Sequence, residues 1–320
     1  MGVPVESRSN DSQAADRLVV GIGNAGPAHY RAALGIAARM SRQRDATITL
    51  VHGSLPRLSI ATGGGLERHL TRGRQIVDEA RLALSAMVDP GTPISLAAVP
   101  RTGVEALLHE SQSATSLIVQ RRSASAVYRA FTGATSHTVA AQAACPVIVV
   151  RHDQLESDSK RGVVVGVAPN SGQRALETAV TEAAARKCPL TAVYVWNLQF
   201  SPTYGGQIEP DGEEVEEAAR WADSQLANVV AGVVKNHPDV EIHARSVKGV
   251  TEVGLLQECE HAELLVVERH RDAHRASIGL GTLTRHLIEH APCPVMITPQ
   301  SHAAGYSDAD VTEPRATTES

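Results

Sequence analysis

The sequence contains two copies of a Cys-Pro step followed by strand-forming residues. The first copy is ACPVIVV, residues 144–150, and the second is PCPVMIT, residues 292–298. Superposing Cys145 on Cys293 gives a shift of 148 positions, and the same shift brings TSLIVQRR onto ELLVVERH and Gly133 onto Gly281. A self-match that extends through most of a chain is typical of duplication. Each half is therefore predicted to fold as one unit.

Within each half, short apolar runs alternate with segments of helical period. The runs are rich in β-branched residues and have the length of buried strands. In the first half they are RLVVGI, ATITLVH, ISLAAV, SLIVQ and PVIVV. This alternation predicts an α/β fold of two tandem, doubly wound, five-stranded parallel sheets with helices on both faces, a Rossmann-like arrangement.

The repeat also sets the predicted domain boundaries. The two domains are expected at residues 17–152 and 161–299, joined by a polar linker over residues 153–160. Residues 1–16 and 300–320 are polar and lack an apolar face of helical period. Such composition predicts disordered segments at both ends of the chain.

The net charge of the protein, −5, conceals an uneven distribution. Residues 17–152 carry 15 basic and 7 acidic side chains, whereas residues 161–299 carry 12 and 18. The first half is thus positive by 8 and the second negative by 6. Opposite charges favour docking of the halves on each other, or a preference of the first half for anions, within the short range that salt allows.

Composition excludes several classes of protein. No apolar run reaches the roughly 18 residues of a membrane helix, and the polar, acidic start differs from a signal peptide. We therefore expect a cytoplasmic protein without a membrane partner. The four cysteines lack CxxC spacing and are expected to be reduced and buried. The basic first half has no nucleic-acid motif or aromatic platform, so no nucleic-acid partner is expected.

The end of each half resembles the universal stress protein family. The family's hallmark is a fourth strand followed by G-x-x-G, nine residues, G-S or G-T, a helix, and a strand that opens with A-P-C-P-V. GTLTRHLIEHAPCPVMI, residues 281–297, matches the last part of this pattern, and GATSHTVAAQAACPVIV, residues 133–149, matches it less closely. The resemblance covers both predicted domains. It implies an adenine-nucleotide alpha hydrolase-like fold, and ATP as the ligand of the family's nucleotide-binding members.

Most residues that carry ATP in the family are replaced here. The positions that depart from the family's pattern are Gln120, Ser123 and Ala134 in the first half, Glu268 and Arg271 in the second, and Gly23 and Ala168 where the family has an Asp. Gly133, Gly281 and Thr282 are retained. Together with Arg271, these three are the candidate cofactor-binding residues. The sequence requires no cofactor, and ATP stays an alternative ligand.

Four functions remain in view. We expect a non-catalytic tandem universal stress protein, a stress-response binding and regulatory protein in which ATP binding is weakened or lost. The first alternative is a sensor of ATP or another anionic nucleotide through the second domain. The second is a slow ATPase in which Glu268 faces a metal ion. The third assigns a different anion to the arginine-rich loops 121–129 and 269–275.

The resemblance also implies how the halves associate. The last strands, CPVIVVR and CPVMITP, are expected to pair across a pseudo-twofold axis, because each would otherwise be an aggregation-prone edge. A homodimer of the tandem chain and unidentified protein partners stay open. No catalytic residue is nominated. His286 and His290 have a metal-binding spacing without a third ligand, so packing or surface placement is expected for them and no metal site is assigned.

Overall fold

The computed structural model describes residues 16–24, 26–55, 63–121, 134–154, 162–169, 171–197, 212–269 and 280–300. Strands of the first half are β1 (Arg17–Gly21), β2 (Thr47–Gly53), β3 (Ile94–Val99), β4 (Ser116–Arg121) and β5 (Val147–Arg151). Strands of the second half are β6 (Val163–Gly166), β7 (Leu190–Trp196), β8 (Ile242–Lys248), β9 (Leu264–Glu268) and β10 (Val295–Thr298). Their order along the chain repeats from one half to the other.

The helices alternate with these strands. The first half contains α1 (Arg31–Arg44), α2 (Gly63–Ser85), α3 (Gly103–Glu110) and α4 (Ala134–Gln142). The second half contains α5 (Gln173–Arg186), α6 (Gly212–Asn236), α7 (Thr251–Glu258) and α8 (Thr282–His290). Across these described residues, no helix has both the length and the apolar character needed to cross a membrane.

All ten strands form one sheet in the order β3-β2-β1-β4-β5-β10-β9-β6-β7-β8. Each half contributes five parallel strands, which confirms the predicted α/β fold. The halves meet at β5 and β10, which pair antiparallel with Val149 opposite Val295 and Val147 opposite Ile297. The two five-stranded sheets are thus continuous through the hydrogen bonds of one strand pair.

Helix boundaries follow local chemistry. The segment PAHYRAALGIAARMSRQR has a helical period of apolar residues, but it begins with a 3-10 turn over Pro27–His29 and becomes α1 only after Tyr30. Tyr30 has φ −137° and ψ 0°, which interrupts helical geometry. Helix α3 begins with a capping box, since the Thr102 hydroxyl accepts the Glu105 N–H and the Glu105 carboxylate accepts the Thr102 N–H.

The core forms one layer on each face of the sheet, and both layers contain residues from both halves. On one face, buried side chains of α1 and α5 pack over the central strands, Leu34 and Leu176 among them. On the other face, α3, α4, α7 and α8 pack against the strand side chains that point to that face. Both layers cross the β5–β10 junction. The halves are therefore joined by the burial of apolar side chains in addition to the hydrogen bonds of that strand pair.

An ion network bridges α1 and α5 beside this core. Glu182 of the second half pairs with Arg44 of the first half and with Arg186 of its own helix. The Arg39 Nη1 and Glu263 Oε2 atoms lie 3.5 Å apart across the same boundary. The Glu182 and Arg186 side chains are each only 2% exposed. Basic groups of the first half and acidic groups of the second therefore meet inside the molecule.

Candidate functional site

Strand order locates one crevice in each half. The order reverses between β1 and β4, and again between β6 and β9. In open α/β sheets, ligands bind outside the carboxyl ends of the strands at such a switch point. Helices α1 and α5 begin there, and their first N–H groups form the positive ends of the helix dipoles. These two crevices are the candidate binding sites of the protein.

In the first crevice, the Gln120 side chain bonds to the start of α1. Its Oε1 atom accepts hydrogen bonds from the backbone N–H groups of Ala32 and Ala33, at 3.1 and 3.3 Å. Its Nε2 atom donates to the carbonyl of Ala28 at 3.3 Å. One side chain from the end of β4 therefore occupies N–H groups that an anion would use at this helix terminus.

In the second crevice, a charged side chain at the corresponding strand end bonds to the residue that precedes α5. Oε2 of Glu268, at the end of β9, accepts a hydrogen bond of 2.9 Å from the backbone N–H of Gly172. Gly172 is the residue that precedes α5, with φ +92°, a left-handed conformation that favours glycine. A carboxylate at this helix start is electrostatically favourable, whereas a phosphate beside it would be repelled.

The loops after β1 and β6 occupy the positions where the family has an Asp. Ala168 and Ser171, after β6, are joined by two backbone hydrogen bonds of 3.1 Å. Gly23 follows β1 and has no side chain to offer a ligand. Neither position supplies a carboxylate that could bind a ribose hydroxyl.

Two of the four candidate cofactor-binding residues lie in the described part of the chain. Gly281 is buried at the N-cap of α8, and Thr282 is the exposed first residue of that helix. Because glycine has no side chain, Gly281 cannot cap the first turn of α8 with one. The Thr282 hydroxyl belongs to that turn. Arg271 and Gly133 lie outside the described residues.

Arg121 and Arg269, which directly follow Gln120 and Glu268, contact the opposite half. Arg269 is 8% exposed and donates to the carbonyls of Ala140 and Ala143, at 3.4 and 3.2 Å, at the end of α4. Arg121 donates to the carbonyl of Glu289, at the end of α8, at 3.5 Å. Each arginine thus stabilises the negative end of the other half's last helix. Arg121 and Arg269 are therefore engaged in contacts between the halves, which leaves fewer arginines of loops 121–129 and 269–275 for an anion site.

Burial shifts the pKa of one histidine, His52, and of one cysteine, Cys145. Burial lowers the pKa of His52, whose Nδ1 atom lies 2.8 Å from the carbonyl of Ile22. Burial raises the pKa of the Cys145 thiol to about 11, so it is protonated at neutral pH. The rings of His286 and His290 lie 4.4 Å apart on α8. Within the described part of the chain, no cluster of three or more metal-binding side chains occurs.

Sequence reasoning identified Gln120 and Glu268 as departures from a motif and missed their bonds to the helix starts. It also missed the contacts of Arg121 and Arg269 between the halves. The sequence does contain a sign of these shared roles, because the shift of 148 positions superposes Gln120-Arg121 on Glu268-Arg269. A side chain that recurs at both switch points is a candidate for a role at both.

Fold and crevices together define a tandem α/β protein with one switch-point site per half. A model of the universal stress protein family matches residues 15–151 and, a second time, residues 161–299. The chain belongs to the universal stress protein family, as a member with two domains in tandem.

Relatives of similar length support this assignment. A universal stress protein of Mycolicibacterium smegmatis is 29% identical over 296 residues, which cover 88% of this chain and 96% of the relative. One from Mycobacterium tuberculosis strain H37Rv is 26% identical over 296 residues, covering 89% and 96%. The crystal structure of a universal stress protein from Archaeoglobus fulgidus superposes with a TM-score of 0.64 at 14% identity, covering 89% of this chain and 97% of that one. At that identity the superposition concerns the fold alone.

Proposed function

We propose that this tandem universal stress protein is non-catalytic and acts by binding partners in the stress response, with its affinity for ATP weakened or lost. The observation that carries the proposal is that Gln120 is hydrogen-bonded to the first turn of α1 and Glu268 to Gly172, directly before α5, at the two switch points. A nucleotide phosphate would have to displace them, and in the second half it would also meet a carboxylate. The proposal places the protein in the cytoplasm, where it contacts protein partners or a second copy of itself.

Thermal unfolding of the ligand-free protein, with and without millimolar Mg-ATP, tests the proposal. A ligand that binds only the folded state stabilises it by about 2.7 kcal/mol at a hundred times its Kd. We expect the unfolding midpoint to stay unchanged. A clear rise in the midpoint, or steady release of phosphate from ATP, would contradict the proposal.

A nucleotide sensor is the second candidate, and the start of α8 favours it. Gly281 and Thr282 retain the family's residues at a helix N-terminus, where N–H groups and a hydroxyl suit a phosphate. The Gly281→Asp plus Thr282→Ala variant separates the two candidates. A midpoint rise with Mg-ATP in the wild-type protein that disappears in this variant would establish the sensor instead.

The slow ATPase has less support. It needs a carboxylate directed at a metal ion beside the phosphates. The Glu268 carboxylate is directed instead at the Gly172 N–H, 2.9 Å away. A phosphate-release activity that is abolished in Glu268→Gln would revive this alternative.

A further inference from the structure

Two adjacent residues end the fourth strand of each half, and their side chains go to different places. Gln120 bonds to the start of α1 in its own half, and Arg121 bonds to the end of α8 in the other. Glu268 bonds to the residue before α5 in its own half, and Arg269 bonds to the end of α4 in the other. The same division of contacts recurs on both sides of the pseudo-twofold axis.

The helices that receive the arginines belong to the opposite half, and each follows the strand that borders the crevice of that half. Helix α8 starts at Thr282, directly after Gly281, and near its end the Glu289 carbonyl accepts hydrogen bonds from both Arg121, at 3.5 Å, and Arg151, at 3.1 Å. Helix α4 starts at Ala134 and ends where Arg269 donates two hydrogen bonds. Each strand end is therefore fixed between its own crevice and the last helix of the partner half.

We propose that the pairs Gln120–Arg121 and Glu268–Arg269 are latches that keep both crevices closed to nucleoside phosphates. The first residue of each pair acts as a built-in ligand for the helix start. The second holds the strand end in place by anchoring it to the opposite half. This inference rests on the proposed function, because it explains weakened nucleotide binding by occupancy of the crevice.

In both halves a side chain from the end of the fourth strand occupies the crevice, but its charge differs between the halves. Gln120 is neutral and accepts from two first-turn N–H groups of α1, and Glu268 is charged and accepts from the N–H of Gly172, directly before α5. A side chain tethered beside its site competes at a high effective concentration, without any loss of translational freedom. If the latch is open in less than about a tenth of the molecules, the apparent affinity for a ligand falls about tenfold or more.

The test measures Mg-ATP binding to the full chain by isothermal titration calorimetry. Glu268→Ala removes the built-in ligand and is expected to bind at least about tenfold more tightly than wild type. Glu268→Gln removes the charge, keeps the occupancy, and is expected to gain far less affinity than Glu268→Ala. Glu241→Ala, at an exposed carboxylate before β8, is the matched control and should also behave as wild type.

The anchor is tested separately. Arg269→Met retains the Glu268 carboxylate but removes the two hydrogen bonds to α4. It is expected to bind Mg-ATP more tightly than wild type and less tightly than Glu268→Ala. Arg245→Met, at the exposed Arg245–Glu258 ion pair, is the matched control. Wild-type affinity in Arg269→Met would exclude the arginines from the latch.

The outcomes separate this inference from the proposed function. Tight Mg-ATP binding by the wild-type protein would contradict the proposed function itself. No binding by wild type or by a folded Glu268→Ala would leave the proposed function standing and overturn the latch. Equal gains in Mg-ATP affinity in Glu268→Ala and Glu268→Gln would show that charge repulsion, and not occupancy of the crevice, weakens binding. If Glu268→Ala does not fold, Gln120→Ala applies the same test to the first half.

Discussion

At the scale of single residues, His52 shows how burial fixes the state of a titratable group. The side chain lies in β2, is 4% exposed, and faces the Ile22 carbonyl from its Nδ1 atom. Because a carbonyl only accepts, Nδ1 carries the proton of the neutral ring. Loss of hydration disfavours the imidazolium and lowers the pKa, an effect larger than the opposing one of the hydrogen bond to Ile22.

This lowered pKa predicts acid sensitivity. The unfolded chain takes up the proton near its ordinary pKa of 6.5, before the folded protein does. The free energy of unfolding therefore decreases as the pH falls from 6.5 towards the folded-state value, and is unaffected by this group well above 6.5. Urea denaturation of wild type and His52→Gln at about pH 8 and about pH 5 measures the effect. Wild type should lose more stability than the variant, and equal losses would contradict the assignment.

At the scale of secondary-structure elements, the contact between β2 and α3 depends on a residue without a side chain. Gly53 is the last residue of β2, and a Cβ added to it would lie 2.4 Å from the backbone N of Gly103 and 2.5 Å from the carbonyl C of Thr102. These atoms belong to the start of α3, which cannot yield as a side-chain end can. The glycine therefore sets the approach of the helix to the strand.

A pair of glycine substitutions tests this contact. Gly53→Ala should lower the free energy of unfolding by about 1–3 kcal/mol, the usual range for overpacking. Gly65→Ala is the control, because its Cβ would meet nothing within 4 Å and it lies in α2. The control should raise stability by up to about 1 kcal/mol through helix propensity. Chemical denaturation measures both, and equal effects of one sign would contradict the account.

Sequence patterns predicted the elements because the period of apolar residues is local. The ten strands and the α/β class follow from such periods, and the break at Tyr30 does not, because it depends on a single backbone conformation. The contacts of Arg121 and Arg269 could not be predicted from local patterns. They depend on the antiparallel register of β5 and β10, which brings residues more than 120 positions apart into hydrogen-bonding distance.

At the scale of the whole molecule, the buried ion network makes the two halves unlike partners. Arg44 is the last residue of α1, and Arg186 is the last residue of α5. Both pair with Glu182 of α5, which has no acidic counterpart at the equivalent position of α1. Met40 of α1 stands four residues before Arg44, as Glu182 stands before Arg186. Divergence at this one position lets a single carboxylate form ion pairs with one arginine of each half.

Removing that carboxylate should therefore destabilise the whole molecule. Glu182→Gln leaves the buried Arg44 and Arg186 guanidinium groups with less compensation, and the loss of one partner of a buried ion pair costs about 3–5 kcal/mol. Glu216→Gln breaks the exposed pair with Arg220 on α6 and should change stability by less than about 1 kcal/mol. Urea denaturation should show one cooperative transition, shifted to lower urea in Glu182→Gln, because both core layers cross the junction between the halves. Two separate transitions in the variant would mean that the ion network, rather than the shared core, unites the halves.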